Sequence, residues 1–309
     1  MTSLRVASLL FAGLGVVAAT VLVRGADAPK VLIAHRGASG YAPEHTMAAY
    51  DLAIQQGAQF VEPDLAVSKD GLLVCLHDDT LERTTNVEEV YAARFSPDVK
   101  GRNGEKRWVA NDFTVAEIKT LDAGSWFNAK FAGAPVPTWD EMVARVRQHP
   151  GVGVYPELKS PPLYTARGID MAKIFVESVK KHGLDTAESQ KRTPIIIQSF
   201  DRPTIKRMSV ELPTVPRVYL TSAEADITDA QLKDLATFAQ GIAPEKRLVA
   251  SHPDLVRRAH AAGLTVTVWT FRADEKTTYA SVKDEMAQFL YTFGIDALFT
   301  NNPDQFPRR

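Results

Sequence analysis

Cysteine is almost absent. The 309 residues hold one, Cys75, so no disulfide can form within the chain. Neither sign of charge is in surplus: 36 basic residues stand against 37 acidic ones, a formal net charge of −1. No broad attraction to nucleic acid or to an anionic membrane follows from that balance. The chain has no internal repeat and no low-complexity tract. Charge is also missing from one long run, Val6 to Val23, which follows Arg5. Such a run reads as the apolar region of a signal peptide or as a short anchor. Ala26-Asp27-Ala28 fits an A-x-A cleavage pattern, although Pro29 would follow the cut, and Val23-Arg24-Gly25 offers another site. The expectation is export to a periplasm or the exterior, with residues 1–28 as a signal peptide. Contact with a membrane is expected only if that segment is retained as an anchor. A nearly cysteine-free exported protein is compatible with both compartments.

What is present is ordinary globular material: 24% charged and 45% hydrophobic residues. Residues 29–309 suit one large domain, since roughly 250 residues is typical of a single α/β barrel. Eight strand-like runs alternate with helix-like segments. They are 31–35, 58–65, 151–158, 194–200, 216–220, 240–244, 264–271 and 295–300. Several of the helical segments close on glycine, the usual residue after a helix end. Eight such units predict an α/β fold of the (β/α)8 TIM-barrel type. The polar stretch at about 79–137 is too long for a plain loop and reads as a small inserted subdomain.

The stretch VEPDLAVSKDGLLVCLHDD, residues 61–79, breaks the alternation with a hairpin. Asp70-Gly71 between two hydrophobic runs signals a two-residue turn. Lys69 then faces Leu72, and Asp64 faces His77. Side chains alternate along a strand, so Glu62, Asp64 and His77 are expected on one face. Cys75 shares that parity and reads as a small apolar strand residue rather than a nucleophile, since nothing marks a lowered thiol pKa.

In an α/β barrel, catalytic groups stand at the carboxyl ends of the strands. Those ends read His35-Arg36, Glu62 with Asp64, Glu157 with Lys159, Gln198 and Trp269. Three converging carboxylates repel one another unless a cation or a proton intervenes. All-oxygen ligands suit Ca²⁺ or Mg²⁺ better than zinc. The competing reading is that Glu157 pairs with Lys159 and no metal binds. His35 and His77 suit a general base and a general acid; each alone reads equally as a hydrogen-bonded barrel-end histidine. Arg36 could fork onto a phosphate or a carboxylate. Trp269 reads as part of the wall near the mouth.

At these residues the sequence resembles the glycerophosphodiester phosphodiesterase family. The resemblance rests on the segment 34–86, VYPELKSP at 154–161, QSFD at 198–201, VTVWTF at 266–271 and DALFTNNPD at 296–304. YPELKSP and LDAGSWFNAKFAG look like the periplasmic branch. The resemblance implies a barrel with an insertion, and Glu62, Asp64 and Glu157 as ligands of a divalent metal, Ca²⁺ before Mg²⁺. It implies His35 and His77 as the acid/base pair, Arg36 and Lys159 as phosphate contacts, and Glu44 in a supporting role. The implied substrate is a small glycerophosphodiester, cleaved to sn-glycerol 3-phosphate and an alcohol. Two positions depart from the family pattern. His45 stands where asparagine is usual, and Asn301 where aspartate is common. Headgroup preference and oligomeric state are not encoded in these motifs. Two rivals share much of the equipment: a phospholipase D-like enzyme acting on lysophospholipid or sphingolipid, and a barrel that binds phosphodiesters without cleaving them.

Overall fold

The computed structural model describes residues 29–99 and 101–308. The predicted signal segment, residues 1–28, lies outside the described residues. Eleven strands form one curled sheet. They are β1 (Val31–Ala34), β2 (Phe60–Val61), β3 (Asp64–Val67), β4 (Leu73–Cys75), β5 (Gly153–Val154) and β6 (Glu157–Leu158), followed by β7 (Ile197–Ser199), β8 (Arg217–Thr221), β9 (Gly241–Pro244), β10 (Thr265–Phe271) and β11 (Ala297–Thr300).

With the antiparallel hairpin arm β4 set aside, the other ten strands reduce to eight passes of chain. β2 and β3 are halves of one pass, broken at Glu62-Pro63, and β5 and β6 are halves of another, broken at Tyr155-Pro156. A proline lacks the N–H that a ladder needs. Its carbonyl still accepts: Glu157 N donates to Pro63 O at 2.9 Å and Gln198 N to Pro156 O at 2.9 Å. Parallel pairing runs from β1 to β2, β2 to β5, β3 to β6 and onward through β7 to β11. β11 pairs with β1 again, in parallel. The fold is α/β and TIM-barrel-like, with each expected strand in place.

Alternation sorts the side chains. Ile33, Tyr155, Val218, Leu220, Ala243, Ala297 and Phe299 fill the interior of the curl, with Val31, Phe60, Ile196 and Trp269 packed against them. The much larger apolar cluster lies between sheet and helices and includes Leu32, Ala34, Tyr50, Val61, Leu158, Phe175 and Val268. A residue two beyond an inward one also points inward. His35 follows Ile33, Glu62 follows Phe60, Glu157 follows Tyr155 and Gln198 follows Ile196. Polar side chains thus cap an apolar interior at one end of the sheet.

The hairpin corrects the expectation. Leu65 pairs with Cys75, Ala66 with Val74 and Val67 with Leu73. Asp64 therefore stands opposite Leu76, whose N–H donates to Asp64 O at 2.9 Å, and not opposite His77. The turn has three residues, Lys69-Asp70-Gly71, of which only Gly71 has positive φ, +75°. A turn ending in a left-handed glycine shifts the register by one relative to a two-residue turn. Cys75 consequently points at Tyr50, and burial pushes its thiol up to about 12. His77 lies past the end of β4.

The stretch 79–137 contains short helical turns at Val87–Val90, Ala110–Asp112, Val115–Ile118 and Ala129–Phe131. Its apolar residues Leu81, Trp108, Phe113 and Ile118 belong to the same buried cluster as the outer face of the sheet.

Candidate active site

The site begins where β1 ends. His35, Arg36 and Gly37 leave the strand, and both Arg36 (φ +58°) and Gly37 (φ +81°) are left-handed. Glycine is required at 37, since a Cβ there would come within 2.6 Å of the Ala49 backbone. The turn brings Arg36 N to Glu62 Oε2 at 3.1 Å. Arg36 also ties to Glu44 Oε1 through Nη1 at 3.0 Å and lies 3.4 Å from Asp64 Oδ2 through Nε. Glu44 precedes the helix Met47–Gln55, which Thr46 caps. Glu44 and Arg36 are therefore joined by two adjacent turns.

Glu62, Asp64 and Glu157 offer carboxylate oxygens that all lie within 4.8 Å of one another, and all three are buried. Gln198 Nε2 donates to Glu62 Oε1 at 2.7 Å. Lys159 Nζ lies 2.9 Å from Glu157 Oε1, so the ion pair weighed against a metal is present, yet it answers only one of three acids. Burial, then the neighbouring acids, pushes Glu62 well above the carboxylate range. Burial raises Glu157 to about 8 despite Lys159. Asp64 goes the other way: Lys159, His45 and Arg36 outweigh its burial and hold it low. One buried oxygen, Asp64 Oδ1, has no hydrogen-bond partner among the described residues. Clustered hard oxygen donors with one unanswered fit a divalent ion such as Ca²⁺ or Mg²⁺.

The two candidate imidazoles are held differently. His35 Nδ1 meets Asn301 Oδ1 at 2.7 Å, and its Nε2 lies 3.9 Å from Glu62 Oε2. Burial, then the charge of Arg36, lowers the His35 pKa well below its usual value. His77 Nδ1 meets the Asp78 carboxylate at 2.5 Å. Both line a cavity of about 230 Å³ with Arg36, Glu62, Glu157, Lys159, Phe200, Trp269 and Arg272. Trp269 stands edge-to-face with Phe200 at 5.5 Å and donates its indole N–H to Ala243 O at 2.8 Å. A larger hollow, about 300 Å³ at the start of β1, is lined by neither histidines nor acids.

Three residues here were not assigned from sequence. Asn301 follows Ala297 and Phe299 in strand phase, so parity alone could have found it. His45, in the left-handed region at φ +58°, bridges Asp64 Oδ2 and the Tyr50 hydroxyl at 2.9 Å each. Arg83 joins Asp78 to Glu44, and no periodicity marks it. The loop glycine at 40 lies close against the chain after β11: a Cβ there would meet the Asn302 side-chain amide at 2.5 Å and the Asn301 carbonyl oxygen at 2.9 Å.

Buried acids, two imidazoles and three cations around one cavity, at the carboxyl ends of the parallel strands, suit an enzyme that acts on a phosphate ester. A model of the glycerophosphoryl diester phosphodiesterase family matches residues 35–305, and the chain belongs to that family. A glycerophosphodiester phosphodiesterase of Bacillus subtilis (strain 168) is 34% identical over 284 residues, 89% of this chain and 84% of the relative. One of Arabidopsis thaliana is 32% identical over 312 residues, 87% of this chain and 82% of the relative. Among solved structures, a phosphodiesterase of Oleispira antarctica in complex with the product sn-glycerol-3-phosphate is similar at a TM-score of 0.69. It is 29% identical, with 89% of this chain and 94% of that one covered.

Proposed function

We propose that the protein hydrolyses glycerophosphodiesters to sn-glycerol 3-phosphate and an alcohol, using a divalent metal and the two histidines. The observation that carries this reading is the buried triad Glu62, Asp64 and Glu157 beside a cavity lined by His35 and His77. Ca²⁺ is favoured and Mg²⁺ is the alternative. When bound, the ion would neutralise the triad and draw charge from the phosphoryl oxygens. Arg36 and Lys159 supply further positive charge to those oxygens.

His35 is the base in this reading. Asn301 presents its carbonyl to Nδ1, which keeps the proton there and leaves a lone pair on Nε2, aimed at the acids. Burial keeps the ring neutral. It takes the proton from the substrate's glycerol 2-hydroxyl, whose oxygen attacks phosphorus. His77 is the acid. Ionised Asp78 accepts from its Nδ1–H and stabilises the imidazolium, whose Nε2–H protonates the alcohol oxygen as its bond to phosphorus breaks. Water then opens the resulting 2,3-cyclic phosphate with the two roles reversed. Phe200 and Trp269 form the apolar wall against which carbon atoms of the substrate rest. The stretch 79–137 supplies Arg83 to this end of the sheet, in keeping with an insertion near the mouth. Export, with residues 1–28 as a removed signal peptide, is the companion proposal.

The deciding experiment is turnover of glycerophosphocholine by purified protein with Ca²⁺ or Mg²⁺, following sn-glycerol 3-phosphate and choline. Both products are expected in equal amounts. EDTA should abolish their formation and added metal should restore it. If no diester yields sn-glycerol 3-phosphate with either ion, the reading is wrong.

A further inference from the structure

We propose that Arg83 is a positioning residue for leaving-group protonation: it clamps Asp78, and through Asp78 it sets the His77 imidazole toward the departing oxygen. The proposal rests on His77 being the general acid.

The hairpin does not hold His77. β4 ends at Cys75, and the last ladder bond is Leu76 N to Asp64 O, at 2.9 Å. The imidazole's recorded side-chain partner is Asp78, the adjacent residue, through Nδ1 to Oδ1 at 2.5 Å. A carboxylate one residue away on the same bend cannot fix a ring unless it is itself fixed. Arg83 does that, with Nε to Asp78 Oδ2 at 2.5 Å and Nη2 to Oδ1 at 3.3 Å.

The same guanidinium is anchored on its other edge. Nη1 donates to Glu44 Oε2 at 2.9 Å and Nη2 to Glu44 Oε1 at 2.7 Å. Glu44 in turn holds Arg36. A chain of charge-assisted bonds therefore runs His77, Asp78, Arg83, Glu44, Arg36, and joins the proposed proton donor to the proposed phosphate contact. Two arginines face two carboxylates along it, so Arg83 adds no surplus charge to the site. Its contribution is geometry. Two bidentate forks from one side chain need the planar five-donor guanidinium, and an ammonium cannot reproduce them. The side chain is 40% exposed, so replacing it removes no core packing.

The test compares Arg83→Met and Arg83→Lys with His77→Ala on two substrates: glycerophosphocholine, and the p-nitrophenyl ester of glycerol 3-phosphate, whose leaving group needs little protonation. Both Arg83 variants should lose about 10- to 100-fold in kcat on the choline diester, the scale of a misplaced catalytic group. On the nitrophenyl diester, read as nitrophenol released in the first turnover, before the cyclic phosphate has to open, they should stay within about threefold of wild type. Combined with His77→Ala, Arg83→Met should add almost nothing, because the two residues act through one proton. Equal losses on both substrates would overturn the proposal. So would a wild-type Arg83→Lys, or losses that multiply in the double variant. If Arg83→Met does not fold by circular dichroism, Arg83→Lys alone decides. A different pattern marks failure of the underlying reading: wild type that leaves glycerophosphocholine intact, or His77→Ala that slows both substrates alike.

Discussion

Glu157 shows how much a single side chain can say. Its carboxyl rises from an ordinary 4.5 to about 8 through burial, with Asp64 adding to the rise and Lys159 opposing it. Glu62 is displaced the same way. A carboxyl raised in the folded state keeps a proton that the unfolded chain has released. Its contribution to stability is complete below the ordinary value and is lost as pH climbs to about 8. Asp64 and Glu44 are displaced downward, Glu44 to about 2, so their contribution is lost only in acid, below the ordinary carboxylate range. EDTA-treated protein should therefore show a melting temperature that falls between pH 5 and about pH 8. With Ca²⁺ in excess the fall should vanish or reverse, because the ion binds ionised ligands and binds better as they ionise. Calorimetry across that range checks it; an unchanged melting temperature in EDTA would mean the triad is ionised without a metal. Glu62, Asp64 and Glu157 were legible from their place at strand ends, whereas Glu44 came only with the family resemblance. Arg83 and His45 were not legible, because their partners Glu44, Asp78 and Asp64 are brought to them by turns, which have no period.

The hairpin marks the limit of local reading at the level of elements. Two-residue and three-residue turns both end in Asp-Gly here, and the one-residue difference decides which face each side chain meets. Contacts outside the turn accompany the longer form. Ser68 Oγ bonds Leu72 N and O, at 3.0 Å each; Lys69 N donates to Phe113 O at 2.8 Å; and Val115 N donates to Asp70 Oδ1 at 3.0 Å. Phe113 and Val115 are more than forty residues away, and no local signal announces them. Gly71 sits at φ +75°, and a Cβ there would meet nothing within 4 Å. Gly71→Ala should thus lower stability by about 1–2 kcal/mol, the cost of a left-handed non-glycine residue. It should leave kcat unchanged, since the ladder does not hold His77. Urea unfolding and a rate assay measure the two. A kcat that drops along with stability would return control of His77 to the turn.

For the whole molecule, the eight strand segments were readable because each is a short apolar run bounded by polar or turn residues. Their closure into a ring required pairs as distant as Val31 with Ala297. Among the described residues no helix is long and apolar enough to cross a membrane. The uncharged run from Val6 to Val23 lies outside them. If that run is a signal peptide, N-terminal sequencing of exported protein should begin between Ala26 and Pro29. A chain that begins at Met1 and sediments with membranes would replace the signal peptide by an anchor.

The sequence by itself determined the strands, their order and the polar caps on their inward faces, because hydrophobic alternation and strand ends are properties of neighbouring residues. Tertiary structure alone decided the hairpin register, the Asn301 carbonyl at His35 and the ion-pair chain from Arg36 to His77. Each of those joins groups that are remote in sequence or that differ by one residue of slip. Their energies depend on distance and burial, and neither is written in a linear order of residues.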